Sequence, residues 1–410
     1  MKIWLKTVLA AAAGLLIGAL LARRDGQVAE LVSSLARIAT QFGGYAVFPC
    51  VFFGLVIGTH QLRAAGAARR VYRRLVLYLA GSTVLLVVIG IAAVLLLAPE
   101  RIPIVVIADP VTYAVPSLLD SAAAALPANL FLAFVSDGPL LLPVVVLALV
   151  IGFSLDFDTT ITGPVIQLTD SLSRIFFQIN SLIVEVFWIA VVAIGAATLI
   201  SLGAAELALY GELIIILVMV VMVLYLGVFP GLLYLLGERT NPYRWLYAAL
   251  GPALAGALTG DAYVSLGSLL VHGRGSFGLP RTVATAVFPV FALFGRAGTA
   301  LVMGLSYLVV LRSYTSFGVT GEQVLWAALF SFLISFVVGT APGQGAMVGL
   351  ALLWTMSGHG LREGYLIMQP IAPLLVSTAV LLDVTTAALA AHLVGRGERG
   401  VRPVTVRDFV

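Results

Sequence analysis

The feature that most constrains this chain is the succession of apolar stretches that fills it: 8–22, 43–58, 75–97, 140–155, 182–202, 207–236, 282–311 and 365–394. A helix that crosses a bilayer takes roughly 20 apolar residues. In hydrocarbon every backbone N–H and C=O must find a partner inside the protein, so only helices and closed barrels span. Continuous apolar runs, in place of strict alternation, select helices. Two further apolar segments, 248–270 and 325–356, are broken near their middle by Gly, Ser, Thr and Pro. Irregular backbone at that depth is tolerated only where it is buried in protein or lines a cavity. Composition agrees, with 61% hydrophobic and 10% charged residues and a mean hydropathy of +1.10 over 410 residues. The expected fold is an all-α polytopic membrane protein with about eight transmembrane helices and two re-entrant helical hairpins.

The placement of basic residues fixes an expected topology. Arg63, Arg69, Arg70, Arg73 and Arg74 crowd the turn between the second and third stretches, which marks that turn as cytoplasmic. Lys2 and Lys6, and Arg396, Arg399, Arg402 and Arg407, put both termini on the same side of a plasma (inner) membrane. Arg239 and Arg244 before the first broken segment, and Arg274 and Arg281 after it, bring both of its ends to that face, as a hairpin requires. Arg23 and Arg24 run against the count. Because they follow the first stretch without a small-residue cleavage site, that stretch reads as an uncleaved span. The basic clusters read as topology determinants, and none calls for nucleic acid.

The chain divides near 237–242 into a more regular N-terminal part and a more irregular C-terminal part. The third, fifth and sixth stretches read as ordinary long helices, with Glu185 as a buried charge in the fifth. The segment 98–140, which holds Pro99, Pro103, Pro110, Pro116, Pro127 and Pro139, reads as short broken helices around an outer loop. The single Cys50 forms no internal disulfide. An enzyme would need a nucleophile and base, or a metal set. His60, His272, His359 and His392 are scattered without ligand spacing, and His272 and His359 fall in Gly-rich turns expected to be solvated.

Within and beside the two hairpins lie the ionisable groups that the apolar C-terminal region tolerates: Asp261, Arg296 and Asp383. An arginine at mid-membrane costs roughly 2.5–3.5 kcal/mol on insertion scales, so a carboxylate or a substrate anion must offset it. Its planar fork suits a carboxylate, which directs attention to small organic anions and amino acids. The broken segments and these charges together point to a transporter.

Phe288-Pro289-Val290, Gly298-Thr299-Ala300-Leu301 and Gly339-Thr340-Ala341-Pro342-Gly343-Gln344-Gly345-Ala346, in that order, resemble the dicarboxylate/amino acid:cation symporters, the glutamate transporter family. The resemblance runs through nearly the whole chain. It implies inverted repeats, a homotrimer, and an elevator-type secondary transporter. Residues 1–73 and 99–202 would form the scaffold. A mobile transport domain would comprise 74–98 and 203–410, with hairpin 1 at about 246–278, span 7 at about 280–312, hairpin 2 at about 322–358 and span 8 at about 362–394.

The substrate would sit between the hairpin tips, near Asp261, Tyr263, Ser265, Arg296, Thr299, Thr340, Gln344, Ser377 and Asp383, with Phe294 as a further wall. Coupling-ion positions would fall on Tyr78, Ser82, Asp383, Thr385 and Thr386. The departures fall on the chemistry. The family's Asn-Met-Asp in span 7 is Gly295-Arg296-Ala297 here, the serine-rich tip of hairpin 1 keeps only Ser265, and Gly81 replaces a threonine. Conventional sodium coupling is therefore not expected. Arg296 could occupy the place of a cation, paired with Asp261, Asp383 or substrate. Alternatively, Asp261 or Asp383 could carry a coupling proton. A sodium symporter with rearranged sites and a non-transporting homologue or channel stay open. No cofactor beyond Na+ or H+ is expected.

Overall fold

A computed structural model describes residues 2–21, 26–102, 111, 113, 123, 125–126, 129, 131–135, 141–155, 159–202, 208–236, 241–314, 318–341, 343–358, 363–398 and 400–409. Arg23, Arg24, most of the proline-rich segment, Arg239 and the rest of 237–240, Pro342, His359, Arg399 and the side chain of Thr340 lie outside the described residues.

Every regular element among the described residues is helical. The helices are α1 (Ile3–Leu21), α2 (Gly26–Gly44), α3 (Val47–Ala64), α4 (Ala68–Leu97), α5 (Leu141–Ser154), α6 (Thr159–Val186), α7 (Trp188–Ser201) and α8 (Gly211–Leu236). The C-terminal half adds α9 (Pro242–Thr259), α10 (Ala262–Gly275), α11 (Arg281–Phe294), α12 (Ala297–Tyr314), α13 (Gly321–Ser335), α14 (Gly345–Ser357) and α15 (Ala372–Gly397). A 3₁₀ segment, Gly364–Ile371, leads into α15.

All eight expected stretches are helical, with differences that have physical causes. A separate helix, α2, precedes the second stretch. Gln27, Glu30, Ser33, Arg37 and Gln41 break its apolar run, while Ala36 and Ala39 are buried in the cluster it shares with α1 and α7. The fifth stretch is the second arm of a bent pair, α6 and α7, meeting at 56°. Glu185 at the end of α6 is exposed on the outside of the chain, not buried. The sixth stretch is not a plain helix, because α8 widens into a π-helical turn at Leu224–Val228 ahead of Pro230. Proline has no N–H for the carbonyl four residues back, and the hydroxyl of Tyr243 donates to that carbonyl, Leu226 O, at 2.9 Å. Nor is His272 solvated: it lies inside α10, 1% exposed.

The centre of the protein is the α11–α12 span. In the most apolar 18-residue window of Arg281–Tyr314, 89% of residues are buried, against 22% for α1, so the span is largely enclosed whereas α1 keeps an outer face. Helix α12 packs on α4, α13, α14 and α15, and α11 on α3, α10 and α15. Both hairpins form as expected, α9 with α10 and α13 with α14. The first turns at Gly260, whose φ of +63° is the left-handed conformation glycine adopts without a Cβ penalty.

Both termini, the arginine-rich turn and the base of hairpin 1 share one face. Lys2 Nζ donates to Val406 O at 2.5 Å, Arg70 and Arg74 pair with Glu398 at 3.2 and 3.0 Å, and Arg402 N donates to Gly278 O at 2.9 Å.

Candidate functional site

The break between α11 and α12 creates the central feature of the site. Helix α11 ends at Gly295, whose N–H returns to Phe291 O, and α12 begins with Arg296 O accepting from Ala300 N. The first amides of α12 have no partner within their own helix. Asp383 of α15 supplies it: Oδ1 accepts from Gly298 N at 2.6 Å and Thr299 N at 3.0 Å, and Oδ2 accepts from Thr299 Oγ1 at 2.7 Å. A carboxylate from another helix thus caps the broken span, a favourable place for negative charge. Gly298 makes this approach possible, since a Cβ there would overlap the Ala379 carbonyl and Leu382 of α15.

Arg296 sits in the same break, 2% exposed, with Nη1 at 3.7 Å from Asp383 Oδ2, itself 4% exposed on the side chain. A cation at a helix N-terminus works against the helix dipole, so Asp383 compensates both the amides and the guanidinium. Nε and Nη2 of Arg296 have no hydrogen-bond partner among the described residues. Of the two candidate carboxylates, Asp383 forms the ion pair with Arg296 among the described residues, and Asp261 does not.

The hairpin tips meet beside this break. Asp261 caps α10, accepting from Tyr263 N at 2.7 Å. Tyr263, 4% exposed, donates its hydroxyl to Gly339 O at 2.5 Å, which ties the first hairpin to the tip of the second. Gly339 packs against the Leu293 carbonyl so closely that a Cβ would overlap it. Ser265 is fully buried, and its hydroxyl donates to Ala262 O in its own turn at 2.8 Å.

A cavity of about 250 Å³ opens between the tips, lined in part by Thr259, Gly260, Gly343, Gln344, Met347 and Ser377. None of its described lining residues is charged. The structure therefore separates the expected substrate residues into three settings. Gln344 and Ser377 face the cavity, Arg296, Thr299 and Asp383 form a sealed cluster, and Asp261, Tyr263 and Ser265 shape the first tip. Phe294 packs in the core.

The expected ion residues are dispersed. Ser82 bonds back to Leu79 O at 3.1 Å, Tyr78 packs against the core, and Thr386 bonds to Leu382 O and Asp383 O, both at 2.9 Å. Thr385 pairs with the Tyr225 hydroxyl at 2.5 Å. Tyr225 escapes a reading of the sequence. Its signal is Pro230, which disturbs the helix into the π-turn that carries it, and such turns are frequent at functional sites. Among the described residues no cluster of three His, Cys, Asp or Glu could hold a metal ion.

Compared with known proteins, residues 3–396 match the family model described as the sodium:dicarboxylate symporter family. None of the curated proteins compared matches the chain.

Proposed function

Because the chain belongs to the sodium:dicarboxylate symporter family, we propose that it is a secondary transporter carrying a small organic anion or amino acid between its hairpin tips, with Arg296 in the place of a coupling cation. The observation that carries this reading is the sealed Arg296–Asp383 pair at the break of the central span. Asp383 already holds two amides and a hydroxyl, and the guanidinium brings the fixed positive charge that a bound cation would otherwise bring. Guanidinium does not deprotonate in proteins, so this charge stays in place through the transport cycle. Nε and Nη2 of Arg296, without a hydrogen-bond partner among the described residues, leave positive charge beside the tips, which favours a carboxylate-bearing solute.

Movement is of the elevator type, with 74–98 and 203–410 shifting against 1–73 and 99–202. The packing of α4 on α12 supports grouping the third span with the C-terminal half. The arginine-rich face is cytoplasmic in a plasma membrane. A homotrimer is the assembly, and the exposed Glu185, between the exposed Leu182 and Val186 near the end of α6, supports a protein neighbour there in place of lipid.

The test is uptake of radiolabelled amino acids and dicarboxylates into proteoliposomes, with sodium and proton gradients imposed separately and Arg296→Met measured alongside. Sodium-independent uptake that the substitution abolishes is the expected result, and uptake that requires a sodium gradient overturns the reading. Proton coupling is the alternative, carried by Asp261, held at the first tip and only partly buried, or by the buried Asp383. Asp261→Asn with the pH dependence of uptake unchanged removes that alternative at Asp261.

A further inference from the structure

A second cavity, about 370 Å³, lies at the opposite end of the first hairpin from its tip, beneath the C-terminal tail. Its walls come from five parts of the chain, among them Arg244 and Trp245 at the start of α9, Phe277 after α10, His392 and Arg396 on α15, and Arg402 in the tail. Three of these are guanidinium residues, and no described residue lining the cavity is Asp or Glu.

The hollow also presents uncharged donors and a flat apolar wall. Trp245 is 8% exposed, and its indole N–H has no acceptor among the described residues. The ring stacks on Phe277 with centroids 5.4 Å apart, and His392 stands 6.1 Å away, its Nδ1 likewise without a hydrogen-bond partner. A buried donor without an acceptor is costly, and like charges gathered round one hollow repel. A single anion relieves both.

The tail is positioned to close over such an anion. Arg402 N donates to Gly278 O at 2.9 Å, Arg244 donates to Val404 O, and the Arg244 guanidinium lies 5.8 Å over the ring of Phe409, which is 6% exposed. Leu233 of α8 also lines the cavity, and Leu235 and Leu236 just beyond it are exposed apolar residues, so the site sits at the rim of the apolar belt.

We propose that this cavity binds a phosphate-bearing anion that ties the C-terminal tail to the base of hairpin 1. The shared chemistry is a phosphate oxygen accepting from guanidinium and indole donors. Its source is either an anionic lipid headgroup at the membrane rim or a soluble phosphate.

The two sources separate in two arms, each read as the thermal unfolding midpoint of the full-length protein. One arm titrates inorganic phosphate against chloride at matched ionic strength in detergent. The other compares nanodiscs of phosphatidylcholine with and without phosphatidylglycerol. Arg402→Gln, at an exposed position, removes a cation, and Trp245→Phe keeps the ring stack while removing the N–H. A midpoint that rises with phosphatidylglycerol alone assigns the site to lipid, and a rise with inorganic phosphate assigns it to a soluble ligand. In either case apparent affinity should fall about tenfold in Arg402→Gln, the loss of one charge-assisted bond, and should also weaken in Trp245→Phe. No response in either arm overturns the proposal, and so does a response of equal size in the wild type and both variants.

Discussion

Removing either partner of the Arg296–Asp383 pair should be costly, and the two losses should be unequal and non-additive. At the 3.7 Å separation seen here, Coulomb attraction is about 4.5 kcal/mol at an effective dielectric constant of 20. Breaking a buried pair by removing one partner costs roughly 3–5 kcal/mol. Asp383→Asn leaves the guanidinium without its counter-charge and at an unfavourable helix terminus. Arg296→Met leaves a carboxylate that still accepts from Gly298 N, Thr299 N and Thr299 Oγ1, so it should be the milder single change. The double variant, with neither charge, should be more stable than Asp383→Asn alone. Arg296→Met also opens space beside an oxygen-rich site, which sodium can enter. Its stability should then rise with sodium by about 2.7 kcal/mol at a hundred times the dissociation constant. Thermal unfolding of all four proteins in sodium chloride and in choline chloride at equal ionic strength measures both effects. If sodium stabilises the wild type as strongly as Arg296→Met, or the double variant falls by the sum of the single changes, the arginine is not standing in for a cation.

Other contacts give sharper local tests. Tyr263→Phe removes the bond to Gly339 O and should cost about 1–2 kcal/mol, seen as faster labelling of a cysteine placed at Ala341; unchanged labelling contradicts a clasp between the tips. Gly339→Ala forces its Cβ into the Leu293 carbonyl, so uptake should be lost while the protein still inserts and assembles, and full uptake would show that the second tip does not rest there. Arg281 bridges α11 to α6 through Asp170 at 2.8 Å and Ser173 at 2.6 Å, a contact that must break if the two proposed bodies slide. Asp170→Asn, with both ion-pair partners partly exposed, should cost no more than about 1 kcal/mol yet raise the rate of uptake, and an unchanged rate speaks against sliding at this surface.

The architecture was legible because hydrocarbon enforces helices and because each break carries its own marker. Gly260 with Asp261, Gly295 with Arg296, and the glycines around 339–345 all mark points where a helix stops. The bend between α6 and α7 has no such marker, since Phe187 at the joint is an ordinary apolar residue. Helix α2 was hidden for the opposite reason, being too polar to register as an apolar stretch although its small residues seat it on α7. In the site, the types of the charged residues could be read but their pairing could not. Asp261 and Asp383 are equally plausible partners along the chain, and what selects Asp383 is a third group, the unpaired amides at the start of α12. Those amides exist only because Gly295 and Arg296 interrupt the span, so one interruption creates both the donors and the cation that Asp383 satisfies. The guanidinium of Arg296 and the carboxylate of Asp383 therefore meet at one helix cap, the pairing that sequence order alone could not select.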